Sequence, residues 1–176
     1  VTVMGAGIMG PGIAEILTIA GCTVRLYDIV PEALEKAKAA LHKNLEVFVE
    51  EDLLREEQVE PLFAKVTYTT DLKEAVEGSD MIMEAIVEKK EVKSSVYQQL
   101  DQLLPMGTII ASNTSALNIF EIMPERRLPD TVIAHWYAPA NVIPLVEVVP
   151  GSATLPHLAR EVSDFCAACA LEAVVL

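Results

Sequence analysis

A histidine and a glutamate on two neighbouring predicted strands could carry out acid–base chemistry. His135 lies in the segment 133–136, and Glu147 lies within the apolar segment 144–149. A carboxylate in an apolar strand is costly to bury without a partner, and His135 is the available one. Oxidation of an alcohol needs a base that titrates near neutrality, as imidazole does, and Glu147 would orient the ring and stabilise the imidazolium. A purely structural His–Glu pair fits the spacing equally well.

Small hydroxyl and amide side chains follow the predicted strand that precedes His135. The segment 111–115 reads ASNTS and contains Asn113 and Ser115. It lies at the carboxyl end of its strand, the edge at which doubly wound sheets bind ligands. Both side chains are therefore candidate ligand contacts. Ser115 could instead cap a helix that continues from Leu117.

A glycine-rich turn joins the first predicted strand to the first predicted helix. Residues 1–10 read VTVMGAGIMG, a G-x-G-x-x-G pattern. Gly5 allows the tight turn, Gly7 lets the backbone approach a pyrophosphate, and Gly10 lets the helix pack closely on the strand. The backbone N–H groups around Ile8 and Met9, together with the positive end of the helix, would then hold the phosphates.

An aspartate at the end of the second predicted strand strengthens this interpretation. Asp28 follows the glycines by about 20 residues, where a carboxylate can accept both hydroxyls of an adenine ribose. It would repel a 2′-phosphate, and the next residue, Ile29, has no charge to neutralise one. The sequence therefore predicts NAD rather than NADP. Asp28 could alternatively belong to the amino end of the helix that begins at Pro31.

Short β-branched segments alternate along the chain with longer amphipathic ones, which is typical of βαβ units. The predicted strands are 1–4, 23–27, 66–68, 81–83, 108–111, 132–135, 145–149 and 173–176. The predicted helices are 9–20, 31–50, 56–63, 89–104, 117–123 and 155–170. Two prolines make the link between His135 and Leu145 a loop. The pattern predicts an α/β Rossmann-type fold, a doubly wound and mostly parallel sheet with helices on both faces.

The bulk composition is that of one ordinary globular domain over residues 1–176. The chain is 52% hydrophobic and 22% charged. Its formal net charge of −13 disfavours nucleic acid, whose phosphates need clustered Lys and Arg. No apolar run is long enough for a membrane span, and strand-like residues begin at Val1, so we expect no membrane, no signal segment and a cytoplasmic location.

Two of the three cysteines have a spacing that is found in redox and metal sites. Cys166 and Cys169 form a C-x-x-C pair, but the pair falls within the last predicted helix and no second pair of ligands lies nearby. Free cysteine is among the most buried residue types. We therefore expect both side chains to lie in the core and expect no metal site.

These motifs together resemble the NAD-binding domain of the 3-hydroxyacyl-CoA dehydrogenase family, over essentially the whole chain. The matched stretches are residues 5–12, 84–88, 112–115 and 135–149. The resemblance implies NAD as cofactor, a small acyl-CoA or hydroxy-acid substrate, and the oxidation of a 3-hydroxyacyl-CoA to a 3-oxoacyl-CoA. It also implies a following helical domain that forms a homodimer and closes over the acyl chain. This chain would end just before that domain.

The resemblance also implies a role for individual residues. His135 would be the base, Glu147 its partner, and Ser115 a hydrogen-bond donor to the substrate oxygen. The implied contacts of the cofactor are the glycine loop, Asp28, Ala85, Glu88, Lys93 and Asn113, with Glu88 and Lys93 on the nicotinamide side. Taken without the resemblance, Glu88 and Lys93 look like surface charges of a helix.

Two departures from the family pattern bear on the substrate. The family usually has asparagine three residues after the histidine, where this chain has Ala138. The region 44–52 is rich in carboxylates, where family members present a hydroxyl and lysines to CoA, and such a cluster would repel the CoA phosphates. A non-CoA 3-hydroxy acid is therefore an alternative substrate. A non-catalytic NAD-binding module is a third possibility, which is disfavoured because Ser115, His135 and Glu147 occur together.

Overall fold

Eight strands and six α-helices alternate in a computed structural model that describes residues 1–176. The strands are β1 (Thr2–Met4), β2 (Val24–Tyr27), β3 (Val66–Thr69), β4 (Met81–Glu84), β5 (Ile109–Ser112), β6 (Thr131–Trp136), β7 (Leu145–Pro150) and β8 (Glu172–Val175). The helices are α1 (Gly10–Ile19), α2 (Pro31–Glu50), α3 (Glu56–Phe63), α4 (Leu72–Val76), α5 (Lys90–Leu103) and α6 (Leu158–Ala168). None of the helices is both long enough and apolar enough to cross a membrane.

All eight strands belong to one sheet, in the order β3-β2-β1-β4-β5-β6-β7-β8. Strands β1 to β6 are parallel, β7 is antiparallel to β6, and β8 is parallel to β7. The chain order reverses beside β1, which pairs with both β2 and β4. In a doubly wound sheet this switch point opens a crevice at the carboxyl ends of the strands. The predicted fold class is confirmed.

Two apolar clusters lie on the two faces of the sheet, because successive side chains of a strand point to opposite sides. Val3, Met83 and Ala111 belong to the larger cluster, which also contains side chains of α1, α2 and α6. Met4 and Ile110 belong to the smaller cluster, which contains side chains of α4 and α5. Both faces are buried, which explains why the strands read as nearly continuous apolar runs.

The structure differs from the predicted elements mainly in its short helices. The segment predicted as a helix over 117–123 contains only a 3-10 turn, Ile119–Glu121, and a second 3-10 segment, Glu125–Asp130, was not predicted. Helix α4 was also missed, because five residues are too few to establish a helical period. Its one local signal is Asp71, whose side chain accepts the N–H of Glu74 at 3.0 Å.

The prediction that Cys166 and Cys169 lie in the core is confirmed. Cys166 is fully buried and Cys169 is nearly so, and both thiols are free. Burial raises the pKa of the Cys166 thiol to about 11 and that of Cys169 to about 12. Because the thiolate is the reactive form, these two side chains act as small apolar residues of the core.

Candidate active site

The antiparallel pairing of β6 and β7 brings the histidine and the glutamate together. His135 and Glu147 are direct cross-strand partners in the register. Nδ1 of His135 lies 2.9 Å from Oε2 of Glu147, and its Nε2 lies 3.0 Å from Oγ of Ser115. An ionised carboxylate can only accept a hydrogen bond, so Nδ1 carries a proton, and in the neutral ring Nε2 is then the nitrogen with the lone pair. The result is a hydrogen-bonded chain of acid, imidazole and hydroxyl.

Glu147 is held in its charged form. The hydrogen bond from His135, followed by one from Tyr137, lowers the pKa of Glu147 below its usual range. The side chain of His135 is mostly buried but remains 20% exposed, so a reactant can still reach it. The predicted pairing of His135 with Glu147 is therefore present in the structure, and its geometry would suit an oriented base.

His135 lies in a cleft of about 360 Å³ at the carboxyl ends of the strands that flank the switch point. The cleft-lining residues are Met9, Ala85, Ile86, Glu88, Asn113, Ser115, His135, Trp136, Tyr137 and Ala138. Six of the residues predicted as site residues therefore converge in one place, namely Met9, Ala85, Glu88, Asn113, Ser115 and His135. A larger cavity of about 500 Å³ lies at the opposite edge, beside Val1, Arg25 and Met81. That edge holds the amino ends of the strands, which is not where sheets of this kind bind ligands.

Asn113 connects the strands that carry the site. Its side-chain oxygen accepts the N–H of Trp136 at 2.8 Å, and its own N–H donates to the carbonyl of Glu84 at 2.7 Å. The alternative role of Ser115 as a helix cap is not what the structure shows. Thr114 accepts the N–H of Leu117 at 3.1 Å, whereas the hydroxyl of Ser115 points to His135.

The glycine loop has the shape that a diphosphate needs. Gly5 has a φ of +102°, and a Cβ there would lie 2.5 Å from the carbonyl oxygen of Ala85. A Cβ on Gly10 would lie 1.8 Å from the carbonyl oxygen of Gly5. A Cβ on Gly7 would meet nothing within 4 Å, and the N–H groups of residues 7–9 donate to no atom of the chain. The loop therefore presents free donors and an open surface at the amino end of α1, which fits the pyrophosphate of NAD.

Asp28 fastens this loop to the end of β2. Its Oδ2 accepts the N–H of Ala6 at 2.7 Å and its Oδ1 accepts the N–H of Val30 at 2.9 Å. The N-cap of α2 is Val30, which has no side-chain cap, and the bond to the N–H of Val30 also ties Asp28 to the amino end of that helix. Each carboxylate oxygen retains a second lone pair that can accept a ribose hydroxyl.

We predict that Asp28→Ala weakens the binding of NAD more than that of NADP. The variant loses the acceptor for the ribose hydroxyls and also the charge that repels a 2′-phosphate, so the preference for NAD should fall about tenfold. Titration calorimetry with each nucleotide measures both affinities. Asp28→Asn is the matched control, because it keeps an acceptor for the loop while removing the charge. A preference unchanged in both variants would contradict the role of Asp28.

A buried ionic cluster behind the cleft was not predicted. Lys93 has no exposed side-chain surface, and its Nζ lies 2.6 Å from Oε1 of Glu84 and 3.2 Å from Oε2 of Glu88. The interpretation of Lys93 as a surface charge is therefore wrong, and the contact with the cofactor that the resemblance implies for this enclosed side chain stays a prediction. The signal was Glu84 itself, a carboxylate at the end of the apolar strand β4, which needs a partner for the same reason as Glu147.

The fold and the glycine loop together define a dinucleotide-binding domain of the Rossmann type. The model of the family described as "3-hydroxyacyl-CoA dehydrogenase, NAD binding domain" matches residues 1–176. The chain belongs to this family.

Two curated relatives and one solved structure illustrate the similarity. The probable 3-hydroxybutyryl-CoA dehydrogenase of Bacillus subtilis (strain 168) is 39% identical over 163 residues, which cover 92% of this chain and 56% of the relative. The 5-formyl-3-hydroxy-2-methylpyridine 4-carboxylate 5-dehydrogenase of Mesorhizobium japonicum is 32% identical over 100% of this chain and 56% of the relative. The structure of 3-hydroxybutyryl-CoA dehydrogenase from Escherichia coli K12 superposes with a TM-score of 0.93 at 32% identity, covering 99% of this chain and 37% of that one. The chain thus spans about half the length of the curated relatives that it matches.

Proposed function

We propose that the protein catalyses the NAD-dependent oxidation of the 3-hydroxyl group of a 3-hydroxyacyl-CoA. The observation that supports this most directly is the chain Glu147–His135–Ser115, with hydrogen bonds of 2.9 and 3.0 Å, in the cleft beside the glycine loop. Family membership and the names of the relatives point the same way.

Each side chain has a separate task in this proposal. Nε2 of His135 accepts the proton of the substrate hydroxyl, and Glu147 stabilises the imidazolium that forms. The hydroxyl of Ser115, next to Nε2, donates a hydrogen bond to the same substrate oxygen and so positions it against the base. NAD+, when bound, supplies the hydride acceptor. The free N–H groups of the glycine loop and the carboxylate of Asp28 would hold it.

The test is turnover of 3-hydroxybutyryl-CoA with NAD+, followed by the absorbance of NADH. We expect a kcat/KM for the thioester at least about tenfold above that for free 3-hydroxybutyrate, because binding energy from the CoA moiety contributes to catalysis. Saturable NADH formation with the free acid alone would contradict this proposal. It would favour the second candidate.

That second candidate is an NAD-dependent dehydrogenase of a hydroxy acid without CoA. Exposed carboxylates cluster at the end of α2, at Glu46, Glu50, Glu51 and Asp52, and they would repel the CoA phosphates. The relative from Mesorhizobium japonicum, whose name gives a pyridine carboxylate as its substrate, adds a second reason. Binding of NAD without turnover of either substrate class would instead favour a non-catalytic module.

The assembly of the active protein is a further part of the proposal. The relatives that this chain matches are longer than the chain itself. We propose that a helical domain following residue 176 forms a homodimer and closes the cleft, and that the protein acts in the cytoplasm. Sedimentation of the protein with that domain measures its oligomeric state.

A further inference from the structure

Two buried charges and one half-exposed charge form a row that leads from the core to the cleft. Glu84 is the last residue of β4, and Lys93 lies near the start of α5; neither side chain has any exposed surface. Nζ of Lys93 bridges Oε1 of Glu84, at 2.6 Å, and Oε2 of Glu88, at 3.2 Å. Glu88 is 39% exposed and lines the cleft. We call these three residues the acid–lysine–acid row.

Four donors surround the carboxylate of Glu84. Its Oε1 accepts the N–H of Ile86 at 2.9 Å as well as the ammonium of Lys93. Its Oε2 accepts the hydroxyls of Tyr97 and Ser112, each at 2.6 Å. Such a set of donors favours the ionised form of a buried acid, because every donor is aimed at negative charge. Glu84 and Lys93 thus form an ion pair in which neither side chain is exposed.

Glu88 places a second negative charge beside residues 114–116. Its Oε1 accepts the hydroxyl of Thr114 and the N–H groups of Ser115 and Ala116, the last two at 3.3 and 3.4 Å. Partial burial acts to raise the pKa of Glu88, but the hydrogen bond from Thr114 and the charge of Lys93 outweigh it, so this pKa lies below its usual range. Ser115 is in turn 3.0 Å from His135, so the charge lies close to the base.

Two carboxylates and one ammonium leave the row with one net negative charge beside the cleft. The nicotinamide ring is a cation in NAD+ and neutral in NADH, so a nearby negative charge stabilises the bound oxidised form more than the reduced form. We propose that the acid–lysine–acid row sets the preference of the site for NAD+ over NADH. Glu84 is a positioning residue in this row, because its carboxylate pairs with Lys93 and so leaves the negative charge of Glu88 uncompensated. This inference rests on the proposed function, because it requires the ring to lie near Ser115 and His135.

The test is the ratio of the two dissociation constants in Glu84→Gln. This variant leaves Lys93 and Glu88 to cancel each other, so the ratio of the dissociation constant for NAD+ to that for NADH should rise about tenfold. Glutamine fits the site, since its oxygen can accept from Lys93 and its NH₂ can donate to the hydroxyls of Tyr97 and Ser112. Calorimetric titration of the protein with each nucleotide, at one fixed ionic strength, gives both constants.

A double variant separates charge from packing. Glu84→Gln with Lys93→Met leaves Glu88 alone and restores the net charge of the row, so the ratio should return toward that of the unaltered protein. If damage to packing were the cause, the double variant would depart further than the single one, and the proposal would be overturned. Tyr97→Phe removes one donor to Glu84 without changing any charge, and its ratio should equal that of the unaltered protein.

The remaining outcomes distinguish this inference from the proposed function. Equal ratios in the unaltered protein, in Glu84→Gln and in the double variant would overturn the inference and leave NAD-dependent oxidation standing. Failure of the unaltered protein to bind either nucleotide would overturn both.

Discussion

Replacing His135 with glutamine should reduce turnover by at least about two orders of magnitude, which is the usual loss when a general base is removed. The glutamine amide can still form hydrogen bonds with Ser115 and Glu147, so the local structure is retained, but an amide cannot take a proton near neutral pH. The affinity for NAD should be nearly unchanged, because the groups proposed to hold the nucleotide are the glycine loop and Asp28, which the substitution does not alter. Absorbance of NADH gives kcat, and titration calorimetry gives the dissociation constant.

A second histidine provides the matched control for this variant. His157 is exposed at the N-cap of α6, and its ring forms no hydrogen bond within the chain. His157→Gln should therefore leave both kcat and the affinity for NAD at the values of the unaltered protein. Undiminished turnover in His135→Gln would remove His135 from the mechanism. An equal loss of NAD affinity and turnover would assign it to binding instead.

His135 and Glu147 could be predicted to lie on neighbouring strands, but not to be direct partners in the register. Glu147 is conspicuous because it interrupts an apolar strand, and a histidine occurs at a similar position in the strand before it. Whether the two side chains meet depends on the antiparallel turn between β6 and β7. A slip of one residue would send them to opposite faces of the sheet. The connection between the two strands contains two prolines and no periodic pattern of apolar residues, so its geometry could not be predicted from the sequence.

Glu84 was missed although the same reasoning applies to it. The strand MIME is as apolar as the one that holds Glu147, but the partner of Glu84 is a lysine near the start of α5, among several exposed charged residues. A helix that begins KEVKSS has the composition of a solvated surface. The direction in which α5 leaves the loop after β4 turns one of these lysines inward, and that direction is a tertiary feature. The long elements and the glycine loop could be predicted because their signals are local.

Glu15 is a third carboxylate hidden in an apolar context, in helix α1. Its side chain is fully buried, and its Oε2 accepts the amides of Asn44 at 2.8 Å and Asn141 at 3.3 Å. Its Oε1 is buried without a partner. Burial raises the pKa of Glu15 from 4.5 to about 7, and the two amides offset only part of this effect. The folded protein therefore favours the protonated form of Glu15 more than the unfolded chain does. No other group donates a hydrogen bond to Oε1.

Glu15→Gln should stabilise the protein at neutral and alkaline pH. The pKa of Glu15 is higher in the folded than in the unfolded chain. The contribution of this carboxyl group to the free energy of unfolding is therefore fully favourable below pH 4.5, and it is lost as the pH rises through about 7. Glutamine keeps an acceptor for Asn44 and Asn141 and does not titrate. The free energy of unfolding of the variant, minus that of the unaltered protein, should therefore grow by about 3 kcal/mol over this range. Denaturant unfolding at a series of pH values measures this difference.

The control is Glu50→Gln, which alters an exposed carboxylate of α2. For this variant the difference in the free energy of unfolding should not change with pH. If the difference for Glu15→Gln also did not change with pH, the buried acid would keep its ordinary pKa. Groups other than Asn44 and Asn141 would then have to stabilise its negative charge.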